Sequence, residues 1–255
     1  MTAPDAHTSP RLQRYKPAPE AGIRLVCLPH AGGAAPFYLE FARTLHPDVD
    51  VLAVQYPGRQ ELWREPVIES LTELADRVAA ELVPWGDRPV ALFGHSLGAL
   101  LGYEVARRLA DAGRPAAALF ASGRRAPSVR RPEIAHLLND RDLVRELAAL
   151  GGTDPRVLED EEVLRLTLPV VRADYRAVDS YRYEPGPPLD CPVTVLTGRD
   201  DPQVRPQEAE AWRGHAGGEF EVVTFSGGHF YLVEHSRAVT ELVAARLAAL
   251  SGADR

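Results

Sequence analysis

Six short runs of apolar residues recur along the chain: "IRLVCLP" (Ile23–Pro29), "VDVLAVQYPG" (Val49–Gly58), "PVALF" (Pro89–Phe93), "AAALFAS" (Ala116–Ser122), "CPVTVLTG" (Cys191–Gly198) and "FEVVTF" (Phe220–Phe225). The runs are continuous, not alternating. That is the pattern of strands covered on both faces, and it predicts a mostly parallel sheet. Between the runs, apolar residues return at helical spacing. Leu71, Leu74, Ala75, Val78 and Leu82 follow Ser70, with Glu73 three residues past it, as in a capping box. "LGALLGYEVARRLADAG" (Leu97–Gly113) reads as a helix closed by Gly113 at the C′ position that glycine favours. Further helices are expected around Phe37–Leu45 and over "RAVTELVAARLAAL" (Arg237–Leu250). Strands alternating with helices define an α/β class, with helices on both faces of the sheet.

From about Arg130 to Tyr183 the alternation stops. Leu143, Val144, Leu147 and Leu150 mark one helix, stopped at Gly151–Gly152. Val163, Leu164 and Leu168 begin a second, and Val171, Tyr175 and Val178 carry a third, with Pro169 at the join. An all-helical insertion between two sheet strands is expected to form a lid over the strands' carboxyl ends, where open α/β sheets bind ligands. The plainer alternative is a run of ordinary packing helices. Residues 1–255 are expected to form a single domain, with the polar stretch 1–20 as a loose lead-in and about 130–183 as the inserted lid.

Charge and composition remove several function classes. A formal charge of −7 argues against a nucleic-acid or anionic membrane surface. No run approaches the roughly 18 apolar residues of a membrane span. The N-terminus lacks a signal-peptide core, so a cytoplasmic protein is expected. Cys27 and Cys191 are far apart, and no H-E-x-x-H or Cys/His cluster occurs. Neither a metal nor a cofactor is therefore expected. Nothing indicates an oligomer, and the expectation is a monomer.

The chemistry gathers around "ALFGHSLGALL" (Ala91–Leu101). Gly94-x-Ser96-x-Gly98 lies where a strand ends and a helix begins, the setting of a nucleophile elbow. Glycines let strand and helix crowd together, the turn holds the Ser96 hydroxyl out, and the helix N-terminus offers free N–H groups to an oxyanion. The alternative is an inert turn with a surface serine. A nucleophilic serine needs a base, and in this arrangement an acid and then a histidine follow at later strand ends. "VTVLTGRDDP" offers Asp200 and Asp201; Asp201 is preferred, three residues past Gly198 and beside the proline bend. "VVTFSGGHF" offers His229 behind two glycines. "HAGGAAP" lacks the phosphate-loop patterns. It suits a second oxyanion donor instead, the N–H of Ala31 joining that of Leu97. His95 is expected to pack behind the elbow; His30, in the oxyanion-side loop, is read as making a structural hydrogen bond, against the alternative that it lines the site. His46, His136, His215 and His235 read as surface or loop residues.

In order, "LVCLPHAGG", "LFGHSLGALLGYEVARRL", "LGGTDPRVLEDEEVLRLTLPVVRADYRAVDSYRY", "TGRDDP" and "FSGGHFYL" resemble the type II thioesterases that accompany modular polyketide and nonribosomal peptide synthetases. The resemblance runs from about Leu12 to Leu250. It implies an α/β-hydrolase fold with a helical lid. It also implies a free-standing enzyme that hydrolyses acyl groups from the phosphopantetheine arm of carrier proteins, clearing stalled or misprimed units. In that family's terms Ser96 is the nucleophile, Asp201 the acid, His229 the base, and Ala31 and Leu97 the oxyanion donors. Leu97 departs from a frequent Met and Leu28 from a frequent Phe; a backbone N–H is indifferent to the first change. The substrate arrives on its partner's phosphopantetheine. "GRRAPSVRRP" sets Arg124, Arg125, Arg130 and Arg131 at the root of the insertion. They are read as docking an acidic carrier protein or its phosphate, against the plainer reading of a solvated basic loop. Three rival functions stand beside this one. A general esterase or lipase shares the chemistry. A terminal, product-releasing thioesterase is disfavoured by the want of an attached carrier domain, and a non-catalytic carrier-binding protein by the Ser96, Asp201 and His229 set.

Overall fold

The computed structural model describes residues 9–131, 134–152 and 155–253. Its strands are β1 (Leu12–Gln13), β2 (Arg24–Leu28), β3 (Asp50–Val54), β4 (Val90–His95), β5 (Ala118–Ser122), β6 (Val193–Gly198) and β7 (Phe220–Phe225). They form one sheet in the order β1-β3-β2-β4-β5-β6-β7. All neighbours are parallel except β1, which runs antiparallel along β3. Every residue of β2 to β6 is buried, as the continuous apolar runs require, whereas the edge strand β7 is only half-buried.

The helices are α1 (Leu39–Leu45), α2 (Leu71–Glu81), α3 (Leu97–Asp111), α4 (Asp140–Leu150), α5 (Pro155–Glu159), α6 (Glu161–Ser180), α7 (Pro206–Glu210), α8 (Tyr231–Glu234) and α9 (Ser236–Ala253). Alternate side chains of each strand enter opposite cores. Val26, Leu28, Leu52 and Leu92 pack with α2 and α3. Leu25, Cys27, Val51 and Phe93 pack with α1 and α9. The helix ends follow their local chemistry: Ser70 Oγ accepts from Glu73 N at 3.3 Å, and Gly113 takes a φ of +72°. Among the described residues, no helix is long and apolar enough to cross a membrane.

Two expectations differ from the fold. The lead-in is tied down over residues 9–20, while residues 1–8 lie outside the described residues. Leu12 is buried and pairs with Val54. The buried carboxylate of Asp50 accepts from Arg14 Nε at 2.7 Å and from Ala18 N at 3.2 Å. An open strand edge and a buried anion both recruit donors, and this stretch supplies them. The second difference is that α6 runs on through Pro169, where two helices were expected to join. Proline removes one N–H donor and crowds one carbonyl. Pro169 is exposed, and Leu164, Leu168, Val171 and Tyr175 still share one stripe against Leu143 and Leu147. The shared apolar face outweighs the lost hydrogen bond. Together α4, α5 and α6 fill the chain between β5 and β6, with residues 132–133 and 153–154 outside the described residues.

Candidate active site

β4 ends at His95, and the chain turns sharply at Ser96, with φ 55° and ψ −114°. A non-glycine residue in such a conformation stores on the order of 1–3 kcal/mol of strain, kept only where the surroundings over-determine it. Those surroundings are backbone atoms. A Cβ on Gly94 would lie 1.9 Å from Gly98 O, and one on Gly98 would lie 2.0 Å from Leu28 O. Ser96 N donates to Ser122 O at 2.8 Å, which fastens the turn to β5. The close approach of Gly98 to Leu28 and Pro29 sets the first turn of α3 against the loop after β2. That approach makes the segments of Leu97 and Ala31 neighbours. Neither N–H takes a protein acceptor among the described residues.

The acid and the imidazole meet for a similar reason. A Cβ on Gly198 would lie 2.1 Å from Gly228 O, so the turn after β6 rests on the loop after β7. His229 Nδ1 and Asp201 Oδ2 are 2.9 Å apart. Asp201 Oδ1 accepts from Gln203 N at 2.8 Å, which holds the carboxylate in place. Both side chains are buried, whereas Asp200 is exposed. The His229 ring centroid lies 4.9 Å from that of His95, and a Cβ on Gly123 would come within 3.3 Å of His229 Cε1. His229 therefore abuts the elbow. Ser96 Oγ and His229 make no hydrogen bond here, and such contacts are often long until a substrate tightens them.

Two further imidazoles surround this pair. His95 packs behind the elbow, its Nδ1 2.9 Å from Ser122 Oγ, which is 2.6 Å from Tyr231 OH. Burial first, then the neighbouring His229 and His30, hold its pKa well below the usual histidine range. His30 differs from expectation: among the described residues its side chain has no hydrogen bond, and its buried Nδ1 is unpartnered. Phe37 and Phe230 stand edge-on to it, each at 4.8 Å, and aromatic edges offer no acceptor. Burial, followed by His229 and Arg59, lowers its pKa to about 3. His229 is thus the one of these three rings with an anionic hydrogen-bond partner.

Other expectations need correcting. His215 is buried, with Nε2 2.8 Å from Ser128 Oγ and Nδ1 3.3 Å from Tyr103 OH, inside an aromatic cluster with Trp212 and Tyr183. His136 pairs with Asp179, His235 bonds Ser226 Oγ, and His46 is exposed. Arg124 and Arg125, expected at a docking surface, are buried at 9% and 3% exposure. They follow directly on β5, so they enter the interior with it. With the exposed Arg130 and the half-buried Arg131 they line a cavity of about 550 Å³, shared with Leu100, Asp179 and Arg182. Burial lowers Arg124 to about 10 and, helped by the nearby Arg124 and Arg131 charges, Arg125 to about 9. Arg131 also donates to Gln203 O at 2.9 Å, beside the Asp201 turn.

The sequence reading missed Arg59 and Asp174, a buried ion pair at 2.7 Å against the loop of Ala31. A signal existed: Asp174 falls between Val171 and Val178 on the buried stripe of α6, where a charge needs a partner. Among the described residues, no group of three or more His, Cys, Asp or Glu is placed to hold a metal.

A family model described as Thioesterase domain matches residues 23–247. The chain is 44% identical over 244 residues to Thioesterase PikA5 of Streptomyces venezuelae, covering 95% of this chain and 87% of that protein. It is 36% identical over 229 residues to the gramicidin S biosynthesis protein GrsT of Aneurinibacillus migulanus, covering 89% and 90%. Among solved structures, the type II thioesterase BorB from the borrelidin biosynthetic cluster matches with a TM-score of 0.89 at 49% identity, over 95% of this chain and 100% of that one.

Proposed function

Because this chain belongs to the thioesterase domain family, we propose that it hydrolyses acyl groups from the phosphopantetheine arm of polyketide or nonribosomal peptide carrier proteins, clearing stalled or misprimed units. The observation that carries this reading is the 2.9 Å His229–Asp201 hydrogen bond beside the strained Ser96 turn. His229 Nε2 takes the Ser96 Oγ proton as Oγ attacks the thioester carbonyl, while Asp201 fixes the tautomer at Nδ1. The N–H groups of Ala31 and Leu97 stabilise the tetrahedral oxyanion. The thiol leaves with the proton from His229, and a water activated by the same ring then frees the acid. The free-standing editing role is supported by the likeness to BorB and PikA5. In this reading the chain is one domain, working in the cytoplasm as a monomer. The insertion of about residues 130–183 acts as its lid, supported by the contact of Asp174 with Gly32. Carrier docking falls to the exposed Arg130, with Arg131 behind it, while Arg124 and Arg125 face the cavity beneath.

The test is turnover of acyl groups loaded on carrier protein, followed by intact-protein mass spectrometry. Ser96→Ala should form no acyl-enzyme and lose on the order of 10⁴- to 10⁶-fold in kcat. Asp201→Asn should fall far below Asp200→Asn. Arg130→Glu should raise KM for acyl-carrier substrates and leave acyl-N-acetylcysteamine unchanged. Retained turnover in Ser96→Ala would reject the assignment, and a preference for aryl esters over acyl carriers would favour a general esterase.

A further inference from the structure

We propose that Arg59 and Asp174 are positioning residues that tie α6 to the loop carrying the Ala31 N–H, and so set where that N–H points when an oxyanion forms. The inference rests on the reading of the site given under Proposed function. Asp174 lies on α6 of the insertion, and Arg59 lies in the turn after β3. Asp174 Oδ2 accepts from Gly32 N at 2.7 Å and from Arg59 Nη1 at 2.7 Å, and Oδ1 accepts from Arg59 Nη2 at 2.8 Å. Arg59 Nη1 also donates to Gly33 O at 3.1 Å. A planar guanidinium meeting both carboxylate oxygens fixes direction as well as distance.

The loop is held on each side of Ala31. Tyr56 OH donates to Pro29 O at 2.9 Å, and the Arg59 guanidinium lies over the Tyr56 ring at 5.3 Å. The Gly32 N–H belongs to the peptide unit that begins at Ala31, so Asp174 orients the plane next to the donor. Gly32 has a φ of +75°, and a Cβ there would lie 2.7 Å from Val171 Cγ2, so the loop rests directly on α6. Among the described residues, Ala31 N–H itself is left without a protein acceptor.

Stability alone does not account for the pair. Its side chains are 9% and 3% exposed, and a buried ion pair is often no more stabilising than apolar residues of similar volume. Its particular contribution is geometric. An oxyanion donor works only if it is already aimed at the point where charge develops. Neither residue touches the reacting atoms, so both act through the loop.

The experiment compares wild type with Asp174→Asn, Arg59→Lys and the double variant Arg59→Met with Asp174→Leu. The double variant removes both charges together and leaves none stranded. Each protein is assayed for kcat and KM on acyl-N-acetylcysteamine and for inhibition by an alkyl trifluoromethyl ketone, whose serine adduct carries an oxyanion. Loss of a whole oxyanion donor costs about 10²- to 10³-fold in kcat, so misaiming one should cost on the order of 10- to 100-fold, with KM within about 3-fold. Ketone affinity should weaken by the same factor, and Arg59→Lys should fall between wild type and Asp174→Asn. Should Asp174→Asn fail to fold, the cooperatively folded double variant should still show both losses. Unchanged kcat, or a lower kcat with unchanged ketone affinity, would overturn the proposal. A wild type that neither turns over the thioester nor binds the ketone would overturn the site reading and this proposal with it.

Discussion

Helices α3 and α4 are held in place by different physics. Eleven of the fifteen residues of α3 are buried, whereas Leu143 alone is buried in the eleven-residue α4. Tertiary contact places α3: its first turn meets the backbone of β2, and its face fills the core with α2. Local codes and a few polar ties place α4. Asn139 caps it, Gly151 closes it with a φ of +81°, and Arg172 reaches back to His136 O, Leu138 O and Asp140. Helix α6 contains both regimes, since its buried residues begin only at Leu168. A segment with few buried contacts opens locally at low free energy, while one packed on all sides opens only with the whole fold. Ser96 therefore sits on the tightly packed regime, and α4, in the insertion between β5 and β6, on the loose one.

The largest test of this contrast is one substitution made in both regions. Gly98→Ala puts a methyl 2.0 Å from Leu28 O, a backbone atom that moves only with β2. Overpacking of a core costs about 1–3 kcal/mol where side chains give way, and more is expected where the clash is with backbone. Gly98→Ala should therefore lose more than about 3 kcal/mol and most of its activity. At Gly151 a Cβ meets nothing within 4 Å, and the cost is the left-handed backbone alone, about 1–2 kcal/mol. Urea unfolding of the two variants measures the difference. Equal losses would mean that α4 is packed as tightly as α3.

The same division decides what was legible beforehand. The strands and the elbow were readable because their signals are local: continuous apolar runs, and glycines two positions either side of Ser96. The contact of His229 with Asp201, and not with Asp200, follows from turn geometry at two adjacent strand ends. What escaped reading depends on partners distant in sequence. Arg124 and Arg125 look like a surface patch until β5 carries them inward. His215 looks like a loop residue until Tyr103 and Ser128 enclose it. Pro169 looks like a helix boundary until the stripe it interrupts is found to continue. Asp174 carried a legible signal, a charge on an apolar stripe, but its partner Arg59 is 115 residues away.

A middle-sized effect comes from the half-buried His30 and the buried His95 on the rigid side. His30 and His95 both have pKa values lowered from 6.5 by burial, His30 to about 3. Above pH 6.5 both are neutral in folded and unfolded chains alike, and their contribution is intact. As pH falls below 6.5, the unfolded chain binds protons that the folded chain refuses. Stability is therefore lost progressively, for His30 down to about pH 3. Each such histidine adds up to about 1.4 kcal/mol of lost stability per pH unit. His30→Phe keeps the aromatic packing and removes one titrating group, so its stability should fall less steeply with acid than the wild type. Urea midpoints at several pH values between 7 and 4 measure the slope; parallel curves would sink the prediction.

The smallest effect is the most discriminating. Asn139 Oδ1 accepts from Asp142 N at 3.0 Å and is the N-cap of α4. Replacing such a cap by alanine costs about 1 kcal/mol. If α4 opens on its own, it does so by exposing little surface, whereas global unfolding exposes the whole core. In native-state hydrogen exchange, Asn139→Ala should then speed the α4 amides about 5-fold, the factor equivalent to 1 kcal/mol, and their rates should depend only weakly on urea. Amides of β4 and β5 should show the full urea dependence of global unfolding. If the α4 amides depend on urea as steeply as those of β4 and β5, helix and elbow unfold as one unit. The contrast between a firmly held Ser96 turn and a loosely held α4 would then fall.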